Sequence, residues 1–326
     1  MNRLIPLEDR AGWKAALAGV PHAFAHTWES CNATAESSGY RTYLYCFEEN
    51  GLRIVCPVAE RRAADYVDLV TPYGFSGFVG TGPYPGFCDR WSRFAESRGY
   101  VCAYLVLNPV LTDATYFAGV ATRHRTVYAL DLSLGEDRLF RRLSTNRRRE
   151  VRRAARRRSA FVQDRERLTG FFVRAYPDFM ARRGAARVYD LSEQSLRHLC
   201  ESPHVFMVGA ERGREIVAVS LFGFTRDCGD FLYNVSIPGA EGHSAALIWE
   251  GVRELISHGV PLLNLGGGVV EGDSLAEFKE RFRAQPRPLE SVQQIYRRDV
   301  YDDLCQHAGV DPEQRHGYFP AYRSAR

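Results

Sequence analysis

The chain has 326 residues, 45% of them hydrophobic, and a formal net charge of only +4. That length allows two domains with substantial cores, and the composition is that of a soluble globular protein. No run of about eighteen apolar residues and no charged-then-apolar leader occurs, so neither membrane spanning nor export is expected, and the expected location is the cytoplasm. Eight cysteines, at 31, 46, 56, 88, 102, 200, 228 and 305, form no Cys-x-x-Cys pair and fall mostly in apolar stretches, as free thiols of a reducing compartment do. The nine histidines include no His-Glu-x-x-His and no carboxylate at ligand spacing, so no metal is expected.

In chain order, the first half predicts a strand over 43–47, a turn at Glu48-Glu49-Asn50-Gly51, a second strand over 52–59 and a third over 66–70. A glycine-rich loop from Thr71 to Gly82 follows, then a helix over 87–97 and a strand over 100–107. Between Arg141 and Arg158 the chain reads RRLSTNRRREVRRAARRR, ten arginines against the single Glu150. A helix from Asn146 would offer Val151, Ala154 and Ala155 as a small packing face with arginines around it. So unbalanced a run suits a polyanion such as RNA, gripped through its phosphates without sequence reading, better than a self-paired surface. No RNA-binding module signature accompanies it.

The second half predicts strands over 204–210, 216–224 and 231–236, with turns at Glu211-Arg212-Gly213-Arg214 and Asp227-Cys228-Gly229-Asp230. A helix over 244–258 then carries Ile248, Val252, Leu255 and Ile256 on one face, with Gly259 as its stop, and a strand over 262–265 follows. Three antiparallel strands, a loop, a helix and a returning strand thus occur twice, roughly 160 residues apart. That order argues for duplicated α+β domains. The expected limits are 1–135 for the first and 136–299 for the second, catalytic domain, with the segment from about 300 to 326 returning to the first.

Lysine is nearly absent: of forty-three Lys+Arg positions all but Lys14 and Lys279 are arginine. A lysine retained in such a chain marks a place where a guanidinium does not serve, because an ammonium is compact and its pKa moves when desolvated. Lys279 follows Gly266-Gly267-Gly268 on a short predicted helix. Asp273 or Ser274 can cap it, and Ser274 with Glu277 reads as a capping box. Leu275, Phe278 and Phe282 share a face of that helix, and Lys279 falls among them. A snorkelling lysine with its head in water is the alternative reading.

Several of these phrases resemble the Fem-type (FemABX) aminoacyltransferases. Thr71-Pro72-Tyr73-Gly74-Phe75-Ser76-Gly77 is similar to that family's first-domain Pro-Tyr-Gly loop. The stretch from Asn146-Arg147 to Arg153-Ala154 resembles the helix that opens its second domain. Leu265-Gly266-Gly267-Gly268 with Phe278-Lys279-x-x-Phe282 is similar to its Phe-Lys-x-x-Phe signature, the most specific of the three. The likeness runs from about Phe24 to Arg298. It departs where Arg283 replaces a glycine, where no inserted helical arm occurs, and where no lysine lies between Trp28 and Tyr40.

The resemblance implies two tandem acetyltransferase-like (GNAT) domains, each a mostly antiparallel mixed sheet with flanking helices. It implies transfer of an amino acid from aminoacyl-tRNA to an amine, with aminoacyl-tRNA as co-substrate and no other cofactor. The acceptor implied is an amine-bearing one, such as a muropeptide precursor or a small peptide, of cell-wall or specialised metabolism. The implied catalytic residues are Lys279, which would hold the oxyanion, Phe278 beside it, and Tyr233 facing the acceptor. As structure alone Tyr233 is an ordinary strand aromatic. Arg183, Arg187 and Tyr189 lie where the family meets acceptor phosphate or carboxylate, and Tyr73 joins them as substrate-binding. Arg147, Arg148, Arg149, Arg152, Arg153 and Arg156 are the expected tRNA contacts. Two alternatives stand beside this reading: a CoA-dependent N-acyltransferase on the same fold, and a non-catalytic RNA-binding protein. The first lacks its usual cradle, since Ile237-Pro238-Gly239-Ala240-Glu241-Gly242-His243 has no Arg or Gln for pyrophosphate and carries a repelling Glu241.

Overall fold

The computed structural model describes residues 1–155, 161–314 and 317–324. In chain order the elements are β1 (Asn2–Pro6), α1 (Arg10–Leu17), α2 (Trp28–Ser38), β2 (Arg41–Glu49), β3 (Leu52–Ala63), β4 (Tyr66–Val70), β5 (Val79–Gly80), α3 (Phe87–Ser97) and β6 (Cys102–Val106). There follow β7 (Thr122–Asp131), α4 (Glu136–Arg142), α5 (Thr145–Ala155), β8 (Phe161–Val162), α6 (Arg165–Arg182), α7 (Glu193–Glu201), β9 (Val205–Arg212), β10 (Glu215–Phe224) and β11 (Gly229–Ser236). The chain ends with α8 (Ser244–Ser257), β12 (Leu262–Gly267), α9 (Ser274–Glu280), β13 (Gln285–Ile295) and α10 (Arg298–His307). Among these residues no helix is long and apolar enough to cross a membrane, and all eight cysteines are free.

Two compact units divide the chain. Unit 1 comprises residues 1–21, 25–124 and 288–326; unit 2 comprises 22–24 and 125–287. The divisions thus fall near 124 and 287 rather than at the expected 135 and 299. The cause is visible in the strand orders. In unit 1 the order is β1-β2-β3-β4-β6-β13, with β5 on β3; in unit 2 it is β8-β9-β10-β11-β12-β7. The two orders match strand for strand. In each, one pair is parallel among the described residues, β4 with β6 or β11 with β12, and the last strand is antiparallel. The sixth strand of each sheet comes from the other side of the chain: β7, which follows β6 in sequence, completes unit 2, and β13 completes unit 1.

Continuous runs buried on both faces of the central strands, residues 54–59 of β3 and 217–223 of β10, give each unit its own core. Unit 1 gathers Tyr45, Phe47, Phe78, Phe87 and Trp91 in edge-to-face contacts 4.9–6.0 Å apart. In unit 2 the buried face of α8, with Leu247, Ile248, Val252 and Leu255, lies on the sheet. Each such side chain contributes about 1.5–3 kcal/mol by leaving water, which is what holds the helix preceding β12 in place.

Candidate active site

In both units the parallel strands separate soon after they meet. β4 and β6 pair at Leu69↔Ala103 and Val70↔Tyr104, and β11 and β12 at Gly229↔Leu263 and Asp230↔Asn264. Unit 1 fills its separation with its own glycine-rich loop. Thr71 Oγ1 accepts from Val106 N at 3.1 Å, Asn108 Nδ2 donates to Phe75 O at 2.5 Å, and the Phe78 ring enters the core. A Cβ at Gly77 would lie 2.7 Å from both Leu107 Cα and Asn108 N, so no larger residue passes there. The Pro72-Tyr73-Gly74 phrase therefore closes the unit, and Tyr73 is partly exposed on that loop.

In unit 2 the diverging end of β12 carries the lysine. Register with β7 shifts between Asn264 and Gly267. Gly266 takes φ +70, and a Cβ at Gly267 would lie 2.5 Å from Thr126 O. Asp273 closes the turn into α9: Oδ2 accepts from Val269 N (2.6 Å) and Val270 N (3.1 Å), and Oδ1 from Ala276 N (2.8 Å). These backbone donors hold its carboxyl below the usual range. Asp273 is thus the cap, and the Ser274–Glu277 capping box does not form because Ser274 is already the first helical residue. Arg125 and Thr126 of β7 anchor the same loop, through Gly268 O and Val269 O and through the Glu271 carboxylate.

Lys279 is only 6% exposed. Its Nζ donates to Gly267 O at 2.5 Å. Burial lowers its pKa to about 8, with the Arg125 charge adding to the fall and Asp273 opposing it. The snorkelling alternative is thereby excluded. Lys14, by contrast, is about half exposed and pairs with Glu29 at 3.3 Å. Beside Lys279, the rings of Phe278 and Phe282 meet edge to face at 5.7 Å. Arg283 follows with φ +58, the left-handed region where a side chain costs about 1–2 kcal/mol and glycine costs little.

Arg147 is where expectation and structure part. Its guanidinium lies 4.3 and 4.6 Å from the Phe278 and Phe282 ring centres, donates to Phe278 O at 3.1 Å and pairs with Glu150. It is buried, so it braces α5 against α9 and is not a surface contact for RNA. Arg149, Arg152 and Arg153 are exposed as expected, whereas Arg148 is half-buried and donates to Arg141 O at 3.4 Å. Val151 is buried, and α5 packs on α8. Arg156 lies outside the described residues.

The other predicted group collects on α6. Tyr233 is buried, its ring 5.9 and 5.5 Å from those of Phe172 and Tyr176, and burial raises its phenol well above the usual range. Its ring shapes a wall of this cluster. Tyr176 in turn donates to Tyr189 O at 2.9 Å, in the turn Arg187–Tyr189. Arg183 caps the C-terminus of α6 with its guanidinium 5.3 Å over Phe179, and Arg187 is exposed. Arg183, Arg187, Tyr189 and Tyr233 therefore lie around one helix end, and Phe278 with Lys279 lie on α9.

Sequence reasoning missed Asp230, which the Asp-Cys-Gly-Asp composition placed in a turn. It stands in β11, buried, at the last pair before the strands separate. Oδ1 accepts from Asn264 Nδ2 at 3.2 Å, and Oδ2 has no hydrogen-bond partner among the described residues. Desolvation pushes its pKa up to about 7, against the ordinary 3.8. The folded state then keeps its proton to about pH 7 and the unfolded chain only to about 3.8, so stability falls as pH rises across that window. Asp230→Asn should remove that fall. In urea melts it should gain on the order of 2–4 kcal/mol over the parent at pH 8, at about 1.4 kcal/mol per pH unit, and little at pH 4. Equal stabilities at pH 8 would refute the buried, lifted carboxyl.

No protein-family model and no curated protein matches the chain by sequence. Among solved structures it is similar to FemX, with TM-score 0.69 and 12% identity over 93% of this chain and 99% of that one. The chain has the FemX fold. The tandem arrangement implied by the Phe-Lys-x-x-Phe resemblance is accordingly present, with the duplicated sheet as its basis. Similar too are L-PGS from Bacillus licheniformis (TM-score 0.58, 14% identity, 90% of this chain and 93% of that one) and a conserved protein of unknown function from Bacteroides thetaiotaomicron (TM-score 0.61, 11% identity, 90% and 100%).

Proposed function

We propose that the protein is an aminoacyltransferase that moves an amino acid from aminoacyl-tRNA to an amine acceptor, with unit 2 as its catalytic unit. The observation that carries this reading is Lys279, a buried ammonium at the glycine-rich end of β12 in the FemX-like fold. Transfer from an ester to an amine requires no protein nucleophile. The amine nitrogen bonds to the carbonyl carbon, the ester C–O bond breaks, and the proton lost by the amine ends on the departing ribose hydroxyl. The barrier lies at the tetrahedral oxyanion. A preplaced cation in a water-poor site stabilises that charge, and one such donor is typically worth about 3–4 kcal/mol. Arg149, Arg152 and Arg153 on α5 are the groups offered to the tRNA phosphates, and Arg183 and Arg187 those offered to an anionic part of the acceptor.

A CoA donor is the competing reading, and Glu241, just before the α8 N-terminus where a pyrophosphate would sit, disfavours it. The purified protein should transfer an amino acid from charged tRNA to amine acceptors. RNase should abolish that turnover, and salt should suppress it steeply. Robust acyl transfer from CoA thioesters with RNA absent would overturn the proposal.

A further inference from the structure

We infer that Asp230 and Asn264 are positioning residues for Lys279, acting through the backbone at Gly266 and Gly267; the catalytic half of this inference rests on the function proposed above. β12 leaves β11 after Asn264 and slips its register with β7 before Gly267, so regular pairing does not fix the backbone in between. Side chains fix it instead. Asn264 Oδ1 accepts from Gly266 N at 2.9 Å, and Asn264 Nδ2 donates to Asp230 Oδ1 at 3.2 Å. Gly266 N–H can only donate, so the amide turns its oxygen toward Gly266 and its Nδ2 toward the Asp230 oxygen. One residue further on, Gly267 O receives the Lys279 ammonium. A series of hydrogen bonds thus runs from a fully enclosed carboxyl to the cation. Among the described residues Asp230 is met by the Asn264 amide and the Phe24 backbone rather than by a cation, and its second oxygen has no hydrogen-bond partner there. A group so costly to bury suits a site where geometry matters more than stability.

The two lysines make the test direct. Protein carrying ¹³C-lysine gives one Lys279 and one Lys14 side-chain signal, and each is titrated by NMR without any assay of turnover. Lys279 should titrate near 8 in the parent, with Asp273 and Arg125 as its charged neighbours. In Asn264→Ala and Asp230→Ala the freed ammonium should reach water, and its midpoint should rise by at least about one pH unit toward the ordinary lysine value. Asp230→Asn, whose amide oxygen still accepts from Asn264, should keep the parental midpoint. Asn264→Ser carries the test if the alanine variants do not fold. With charged tRNA, the alanine variants should lose at least about tenfold in kcat with KM little changed. An unchanged Lys279 midpoint in the folded alanine variants would overturn the positioning role, as would an Asp230→Asn midpoint displaced like the alanine ones. Absent turnover in the parent, with the midpoints moving as expected, would instead count against the transferase reading alone.

Discussion

Lys279→Met should lower aminoacyl transfer by at least about a hundredfold, the typical effect of removing one oxyanion donor, while the protein stays folded. It should also be more stable at neutral pH. Below about pH 8 the folded state carries a charge that burial disfavours; between about 8 and 10.5 the folded lysine has released its proton while the unfolded one has not. The unfolded state binds more protons in that window, so the parent's stability rises with pH there. Methionine removes the neutral-pH penalty. The net gain is on the order of 1–2 kcal/mol once the missing charge-assisted hydrogen bond to Gly267 O, about 1.5–2.5 kcal/mol, is subtracted. Parental transfer should decline as pH rises through about 8, where the ammonium gives up its proton. Lys279→Arg should recover little, because the broad guanidinium cannot replace a compact ammonium in an enclosed site. Near-parental turnover in the arginine variant would remove the oxyanion role.

The second large effect separates arginines that look alike in sequence. Replacing Arg149, Arg152 and Arg153 together by Ala should weaken tRNA binding at least about tenfold. It should also flatten the dependence of log K on log salt by about 0.7–0.9 for each phosphate no longer neutralised. Melting should change little, because all three are exposed and the contact of Arg152 with the Phe140 ring, 5.3 Å from its centre, is a surface one worth about 0.5–1 kcal/mol. Arg147→Ala should do the reverse. It strips a buried guanidinium from between two aromatic rings and should cost about 2–4 kcal/mol of stability. Filter binding of tRNA at several salt concentrations, with urea melts of the same variants, distinguishes the two. An unchanged salt slope in the triple variant would leave α5 without an RNA role.

The contrast shows where sequence patterns were sufficient. Arg147 stands four residues before Val151, one helical turn below it on the same face, so its burial was legible had that spacing been weighed above the density of charge. Lys279 was legible twice over, from its rarity and from the Phe-Lys-x-x-Phe phrase. Asp230 was not. Its neighbours Asp227, Cys228 and Gly229 read as a turn, and nothing local says that a parallel partner would enclose its carboxyl. Tyr233 likewise reads as a strand aromatic, while its enclosure by Phe172 and Tyr176 depends on where α6 crosses the sheet.

By itself the sequence determined the elements and their repetition: the strand at 66–70 and the helix at 87–97 have the expected limits, and the order of strands, helix and returning strand recurs as read. Periodicity, caps and turn residues act over a few positions, so they are written locally. Tertiary structure alone decided which strands completed which sheet. β7 buries Val127, Tyr128, Ala129 and Leu130 in succession and β13 buries Leu289, Ser291 and Val292, patterns that mark strands covered by neighbours without saying which strands those are. Partner choice depends on backbone hydrogen bonds and packing between residues far apart in the chain, as where β12 meets β7 and β13 meets β6. For that reason the divisions near 124 and 287, and the buried carboxyl of Asp230 beside Asn264, became visible only in the folded chain.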